Sequence, residues 1–546
     1  MNDMFADAVT FNQPIGGWDV SKVRRMSRMF QNAVEFSQDI SDWNIKEVRE
    51  MDDMFDGITI ATEIYDSMLI KWDNIYGKQF GVNFNAGNSS YTLGPASDAH
   101  AMISSSGWNI TDAGMKHTPM KLLYNTELSP GTTIELPLFG NVEVSVDWGD
   151  GTTDTYSEAG LHSHTYAQEG EYTVAISGNL SQYGIGGADI PDYEQSKLTA
   201  VLDFGVLGVK SYSGAFRNAT NLEEISIYLP PGVSDLSYMF AGATSFDQEI
   251  VNWKTSHVTN VEYMFAGATS FNQNIGSWYS FNIENMAYMF AGATSFNHES
   301  INYFRSEKVT NLEGVFAGAS SFNQSLSYWD VDNVTNMKNM FAETPFDQDL
   351  GNWKVSQVTD MTDMFRNAGL STVNYNNTLK KWSQLALQPG VVFNAGHSQL
   401  ISSTLDFKQK IIDDFNWIIS DGGEQAPMVL LYKAEESEYN CIALPLYGEV
   451  FALIDWGDHN HSQATWSGEH YHCYEKEGEY IVSISGTVTE YGVDNDFYPD
   501  PGDDGPVAFS LNFFVADEEY DAFEGYKQSG LLKVLTFGEM PLTSIS

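Results

Sequence analysis

Three groups of side chains in this chain of 546 residues have types and spacings that could do chemistry. The first is the pair Cys441 and Cys473, the only cysteines present. Aligning Leu136-Pro137-Leu138 with Leu444-Pro445-Leu446 maps Cys441 onto Thr133, and aligning the two Glu-Gly-Glu-Tyr segments maps Cys473 onto Thr165. Two thiols that replace threonines at matched sites of a duplicated segment fit a cross-strand disulfide, with two free buried cysteines as the plainer alternative. The second group is acidic. Asp494, Asp496, Asp500, Asp503 and Asp504 crowd a loop shaped by Gly and Pro, and hard carboxylate oxygens of this kind suit calcium. Their spacing is not that of an EF-hand and the counterpart stretch, residues 185–193, lacks the cluster, so a solvated acidic loop is the simpler reading. The third group is His162-x-His164 and His470-x-His472, where two imidazoles share one face of a strand at a spacing zinc can use; packing or a surface position is the plainer role. Asp147 with Asp150, and Asp455 with Asp458, fit turns closed by side-chain hydrogen bonds, with calcium ligation as the alternative. No Gly-x-Ser-x-Gly, His-Glu-x-x-His, P-loop or Gly-x-Gly-x-x-Gly context occurs, which points away from an enzyme.

What must position these groups is a large folded protein with an unusual charge balance. Lys plus Arg is 27 against 73 for Asp plus Glu, a formal net charge of −46. Nucleic-acid binding needs clustered bases to displace counterions, so that partner is excluded, and an anionic membrane surface is disfavoured likewise. Hydrophobic residues at 42% and aromatics at 14% are too many for a disordered chain. No run of eighteen apolar residues occurs, so no membrane insertion is expected in this segment.

An internal period dominates the rest. Phe5, Phe30 and Phe55, then Phe216, Phe240, Phe265, Phe290, Phe316, Phe341 and Phe365, recur at intervals of 24 to 26 residues within each group. A second phenylalanine usually follows six positions later, as at Phe11, Phe246 and Phe296, and an aromatic precedes the next anchor by twelve, as at Trp18, Trp253 and Trp329. A unit of 25 residues cannot bury its own apolar face, so neighbours must stack and share a core. Alternation around Val331 and Val334 suggests one extended stretch, and Asn339-Met340-Phe341-Ala342 a short helical turn, in each unit. The consensus Phe-Asn-Gln-x-Ile-x-x-Trp-x-Val-x-x-Val-Thr-Asn-Met-x-x-Met-Phe resembles the BspA-like leucine-rich repeats of bacterial surface proteins, over residues 1–56 and roughly 210–367. That resemblance implies a surface protein that binds rather than catalyses.

Between the arrays, Val146-Asp147-Trp148-Gly149-Asp150-Gly151, His164-Thr165-Tyr166 and Gly170-Glu171-Tyr172 resemble a PKD domain, a small sandwich of immunoglobulin-like outline. Ile454-Asp455-Trp456-Gly457-Asp458 with His472-Cys473-Tyr474 repeats it 308 residues later, with His459 where the first copy has Gly151. The expected fold is therefore a leucine-rich-repeat-like solenoid of parallel β with short helical turns, alternating with immunoglobulin-like β-sandwiches. The expected domains are a repeat array end with its cap at 1–117, a sandwich at 118–197, a seven-unit array with cap at 198–423, a second sandwich at 424–530, and the start of a further array at 531–546. Met1 occupies the register of Met51, which reads as a window on a longer tandem protein. Function follows as an expectation: a secreted or cell-surface protein for adhesion or recognition through a surface protein or glycan ligand. The alternative is a structural subunit that assembles with other copies of itself into a filament, sheath or surface layer. No cofactor is expected, calcium at the acidic loop excepted.

Overall fold

The computed structural model describes residues 1–187, 195–434, 441–476, 478–491, 531–536 and 544–545. It divides into two compact units, Met1–Met239 with Gln248–His257 and Phe240–Asp247 with Val258–Ser546. Among the described residues, no helix is long and apolar enough to cross a membrane.

The Phe-anchored repeats are built from turns. Two residues before each anchor the backbone is left-handed, as at Asp3, Arg28, Tyr263, Tyr288 and Asn339, and it is so again two residues after it, as at Asp7, Asn32, Gly267, Gly292 and Glu343, with φ between 53° and 71° at these positions. A pair of left-handed residues four positions apart, one on each side of every anchor, interrupts both the α-helix and the extended strand. The chain answers by sending alternate N–H groups in two directions. Tyr263, Phe265 and Gly267 donate to the carbonyls of Ala287, Met289 and Ala291 in the following repeat at 2.9, 2.9 and 2.7 Å, while Ala266 and Ala268 close local turns on Tyr263 and Phe265. In the first unit Asp3, Phe5 and Asp7 bond Ser27, Met29 and Gln31 in the same way at 3.1, 2.9 and 2.8 Å. Beneath this backbone the anchor rings stack, from Phe240 through Phe365, at 5.4 to 5.9 Å.

Glycine tolerates the left-handed region and glutamate does not. Glu343 stands at φ 60° where four other repeats of the second unit carry Gly242, Gly267, Gly292 and Gly318, and its exposed ion pair with Arg366 at 3.3 Å contributes little. Glu343→Gly should therefore raise stability by ~1 kcal/mol, read as a higher urea midpoint at unchanged slope. A lower midpoint would show that the left-handed backbone at this site carries no strain.

Beyond each set of repeats the chain forms its helices. In the first unit α1 (Thr62–Asp73) buries Tyr65, Met68, Leu69 and Trp72, a helical i, i+3, i+4, i+7 stripe. It packs with α2 (Pro95–Ser105) beside the parallel pair β1 (Asn83–Asn85) and β2 (Asn109–Thr111), and the Asn85 carbonyl accepts the Phe55 N–H at 3.1 Å. A sheet of seven strands follows: β3 (Met120–Asn125), β4 (Thr133–Asp147), β5 (Thr153–Tyr156), β6 (Gly160–Thr165), β7 (Glu171–Tyr183), β8 (Leu198–Asp203) and β9 (Glu224–Ile225). Its order is β5-β4-β7-β3-β8-β9, with β6 also bonded to β4, and only β8–β9 is parallel.

The second unit repeats the plan with α3 (Thr372–Trp382), β10 (Val392–Asn394), α4 (Leu405–Phe415) and β11 (Ile418–Ser420). Its sheet holds β12 (Met428–Ala434), β13 (Cys441–Asp455), β14 (His461–Ala464), β15 (Gly468–Cys473), β16 (Gly478–Tyr491), β17 (Leu531–Thr536) and β18 (Ser544–Ile545). Leu430, Leu444, Ile454, Trp456 and Val482 form its core.

The fold expected from the sequence is corrected on both counts. Apart from β9 and one 3-10 turn at Glu299–Tyr303, the described repeats contain neither the leucine-rich-repeat strand nor its helical turn: the expected parallel sheet is reduced to isolated bridges such as Asn260↔Asn285 and Asn311↔Asn336. The left-handed residues are the physical cause. All four α-helices described lie outside the Phe-anchored repeats. In place of two-sheet sandwiches stand separate, mainly antiparallel sheets, each one continuous hydrogen-bonded array. A register shift between Phe139 and Val142, with Gly140 at φ 69°, bends the fifteen-residue β4 so that it serves β6 with its first half and β5 with its second.

Candidate binding surface

The strands place the sequence-derived candidates as follows. Cys441 lies directly opposite Cys473 in the β13–β15 ladder, and Cys473 is disulfide-bonded. The equivalent pair in the first sheet, Thr133 and Thr165, shares a hydrogen bond of 2.8 Å between hydroxyls. Asp494, Asp496, Asp500, Asp503 and Asp504 lie outside the described residues.

The histidines are occupied by packing. His164 stacks on Trp148 at 4.6 Å and its Nε2 lies 2.8 Å from Asp150 Oδ2; Tyr166 donates its hydroxyl to the Trp148 carbonyl at 2.9 Å. The copy is faithful: His472 Nε2 sits 2.8 Å from Asp458 Oδ2, and Tyr474 donates to the Trp456 carbonyl at 2.8 Å. His162 turns instead to the Glu158 carbonyl at 2.9 Å and to the Tyr156 ring, and His470 to the Trp466 carbonyl at 2.9 Å and the Trp466 ring. Asp147 and Asp455 accept from the Gly149 and Gly457 N–H groups. Among the described residues no group of three or more His, Cys, Asp or Glu could hold a metal ion.

The Asp150 carboxyl is held down to about 2, by hydrogen bonds from Thr152 first and from His164 next. A carboxyl whose folded value lies below the unfolded one of ~3.9 stabilises the fold above that pH, and the contribution is lost as pH falls. Acid titration should therefore show the first sheet losing stability between pH ~4 and ~2, and Asp150→Asn should flatten that window. An unchanged slope in the variant would mean other carboxylates govern it.

A second polar cluster, not noticed in the sequence, ties the helices down. Tyr65 donates to Asp112 Oδ2 at 2.6 Å with His100 3.2 Å from the same oxygen; in the second copy Tyr375 donates to Asp421 at 2.7 Å and Lys408 takes the histidine's place at 2.8 Å. Burial drives the Tyr65 hydroxyl upward, so it remains the donor. These groups answer one another.

What stands open is aromatic. Tyr279, Phe281, Tyr303 and Tyr328 are 61%, 43%, 61% and 68% exposed, and they sit on equivalent loops of three successive repeats. Each loop is pinned from within by a buried ring, Trp278, Phe304 or Trp329. Trp329 donates its indole N–H to the Ile301 carbonyl at 2.8 Å, and the turn that closes on Leu326 leaves Tyr328 outside. Tyr303 ends a short 3-10 turn, Glu299–Tyr303, capped by the His298 side chain. The Tyr303 and Tyr328 rings stack at 5.7 Å and 30°, and the Tyr328 N–H donates to Asn302 Oδ1 at 3.1 Å. Tyr279 lies 5.9 Å from Phe281, over whose face the Arg305 guanidinium sits at 5.4 Å. Arg305 also pairs with Glu307 at 3.1 Å, and Lys308 donates to Asn282 Oδ1 at 2.7 Å.

Sequence reasoning missed this patch, although a column comparison carries the signal. Immediately before the buried aromatic the units read Gly17, Asp42, Asn252, Ser277, Tyr303, Tyr328 and Asn352; one and three places after it, Tyr279 and Phe281 replace the usual Asp, Asn, Lys, Arg, Glu or Ser.

A family model described as "Mycoplasma protein of unknown function, DUF285" matches residues 1–74, 210–306 and 298–411, which hold the repeats together with α1, α3 and the start of α4. No curated protein and no solved structure matches the chain.

Proposed function

The chain belongs to the DUF285 family, and from that premise we propose that it is a non-enzymatic recognition or adhesion protein of the cell exterior. The observation that carries this reading is the exposed aromatic patch of Tyr279, Phe281, Tyr303 and Tyr328 on otherwise polar loops. Large rings left in water across three consecutive repeats do not contribute to the core, and aromatic surface of this kind is enriched where proteins meet ligands. The likeness of the repeats to BspA-like surface proteins supports the same reading. An exterior location is supported by the disulfide at Cys473, since reducing compartments keep thiols free.

The test is binding of the purified full chain to arrays of immobilised glycans and matrix proteins, beside a variant in which all four rings become alanine. Retention of the wild type and loss of retention in the variant is the expected result. Equal retention of both would remove the patch from the function. Reversible self-association abolished by the same substitutions would instead make other copies of the chain the partner.

A further inference from the structure

The recognition reading leaves the ligand open, and the chemistry of the patch narrows it. The Tyr279, Tyr303 and Tyr328 rings are more than half exposed and are not inserted into the protein, so they suit a ligand that lies across them, not one that fills a pocket. The loops that bear them, residues 277–284, 302–308 and 327–333, carry two bases, Arg305 and Lys308, and four acids, Glu284, Glu307, Asp330 and Asp332. Together with the net charge of −46 this repels acidic polymers. A cationic ligand meets the opposite obstacle, because the Phe281 face is already covered by the Arg305 guanidinium at 5.4 Å. The matching ligand is neutral. Tyr303 and Tyr328 occupy the same position of successive repeats with similarly tilted planes 5.7 Å apart, so their faces recur along the stacking direction. The buried anchor rings of successive repeats lie 5.4 to 5.9 Å apart, close to the length of one sugar ring in an extended polymer. Pyranoses with equatorial hydroxyls turn their axial C–H groups, made slightly positive by the neighbouring oxygens, toward the negative face of an aromatic ring. Asn302, Ser325 and Ser327 border the rings with polar groups for the hydroxyls.

We propose that Tyr279, Tyr303 and Tyr328 form the subsites of a neutral, extended, β-linked oligosaccharide running along the repeats, an assignment that rests on the recognition reading above.

The experiment uses the full chain and three probes: β-1,4-linked pentamers of glucose and of N-acetylglucosamine, and the α-1,4-linked glucose pentamer as control. Calorimetry and saturation-transfer NMR should show one of the β-linked probes binding, with its signals broadened by Tyr303 and Tyr328. Tyr303→Ala and Tyr328→Ala should each weaken binding roughly two- to tenfold, while Tyr303→Phe should retain it. Both alanine variants alter exposed side chains, and an unchanged thermal transition confirms that loss of binding is not loss of fold. The assignment is overturned if neither β-linked pentamer binds, if the α-linked control binds equally well, or if the alanine variants bind unchanged. The two readings fail differently. Retention on periodate-oxidised matrix that still requires Tyr303 and Tyr328 removes the sugar and leaves recognition of a protein; retention that ignores all four rings removes both.

Discussion

Replacing Phe290 with alanine should destabilise the second unit by about 3–5 kcal/mol. The ring is fully buried and lies 5.6 Å from Phe265, 5.8 Å from Phe316 and 3.9 Å from Phe296, so its removal strips contacts from three neighbours at once. Collapse cannot fill the space, because hydrogen bonds fix each repeat to the next: the Phe290 N–H bonds the Val315 carbonyl at 2.8 Å, and Gly292 bonds Ala317 at 2.7 Å. The cavity term therefore adds to the lost transfer energy. Urea unfolding of the variant would check it, with Tyr328→Ala as the exposed control expected within about 0.5 kcal/mol of wild type. A loss at Phe290 below about 1 kcal/mol would show that the column relaxes, contrary to the rigid ladder described.

The second large effect concerns the disulfide. Cys473→Ser should cost the second sheet about 3–4 kcal/mol, the entropy returned to the unfolded chain when a loop of roughly 30 residues is released. The first sheet supplies the comparison, since Thr133 and Thr165 hold the same ladder position with a hydroxyl pair at 2.8 Å. Thiol reductant should thus lower the melting of the second sheet and leave the first where it is. Melting curves insensitive to reductant would show that the cross-link does not set the stability of that sheet.

The sequence made the 25-residue frame plain, because burying one phenylalanine on the next demands a constant interval, and the rings do stack in that register. The backbone between the rings was less accessible. Gly267 and Gly292 after the anchors hint at left-handed turns, yet Tyr263, Tyr288 and Arg28 before them carry no such mark, and strand and helical turn were read where turns exist. Alternation in β3 and β7 identifies strands, but it cannot say that β4 bends to pair with three partners in one sheet. The duplication located Cys441 opposite Cys473 because both copies keep the ladder register. The aromatic patch stayed hidden for a different reason: a phenylalanine or tyrosine read along the chain looks like core. Only when the repeats are placed in columns do Tyr303 and Tyr328 fall where Asn252 and Asn352 face water.

Around the anchors the bonds between repeats run from N–H groups of one unit to carbonyls of the next, as from Tyr263, Phe265 and Gly267 to Ala287, Met289 and Ala291, while Glu284 and Thr335 donate back to Thr259 and Thr310. They lie along the stacking direction, so tension applied there acts on one junction at a time and detaches repeats singly, like pages leaving a pad. Each released unit of 25 residues adds up to about 85 Å of extended chain. Held at both ends, the repeats would lengthen in steps and absorb work at each one.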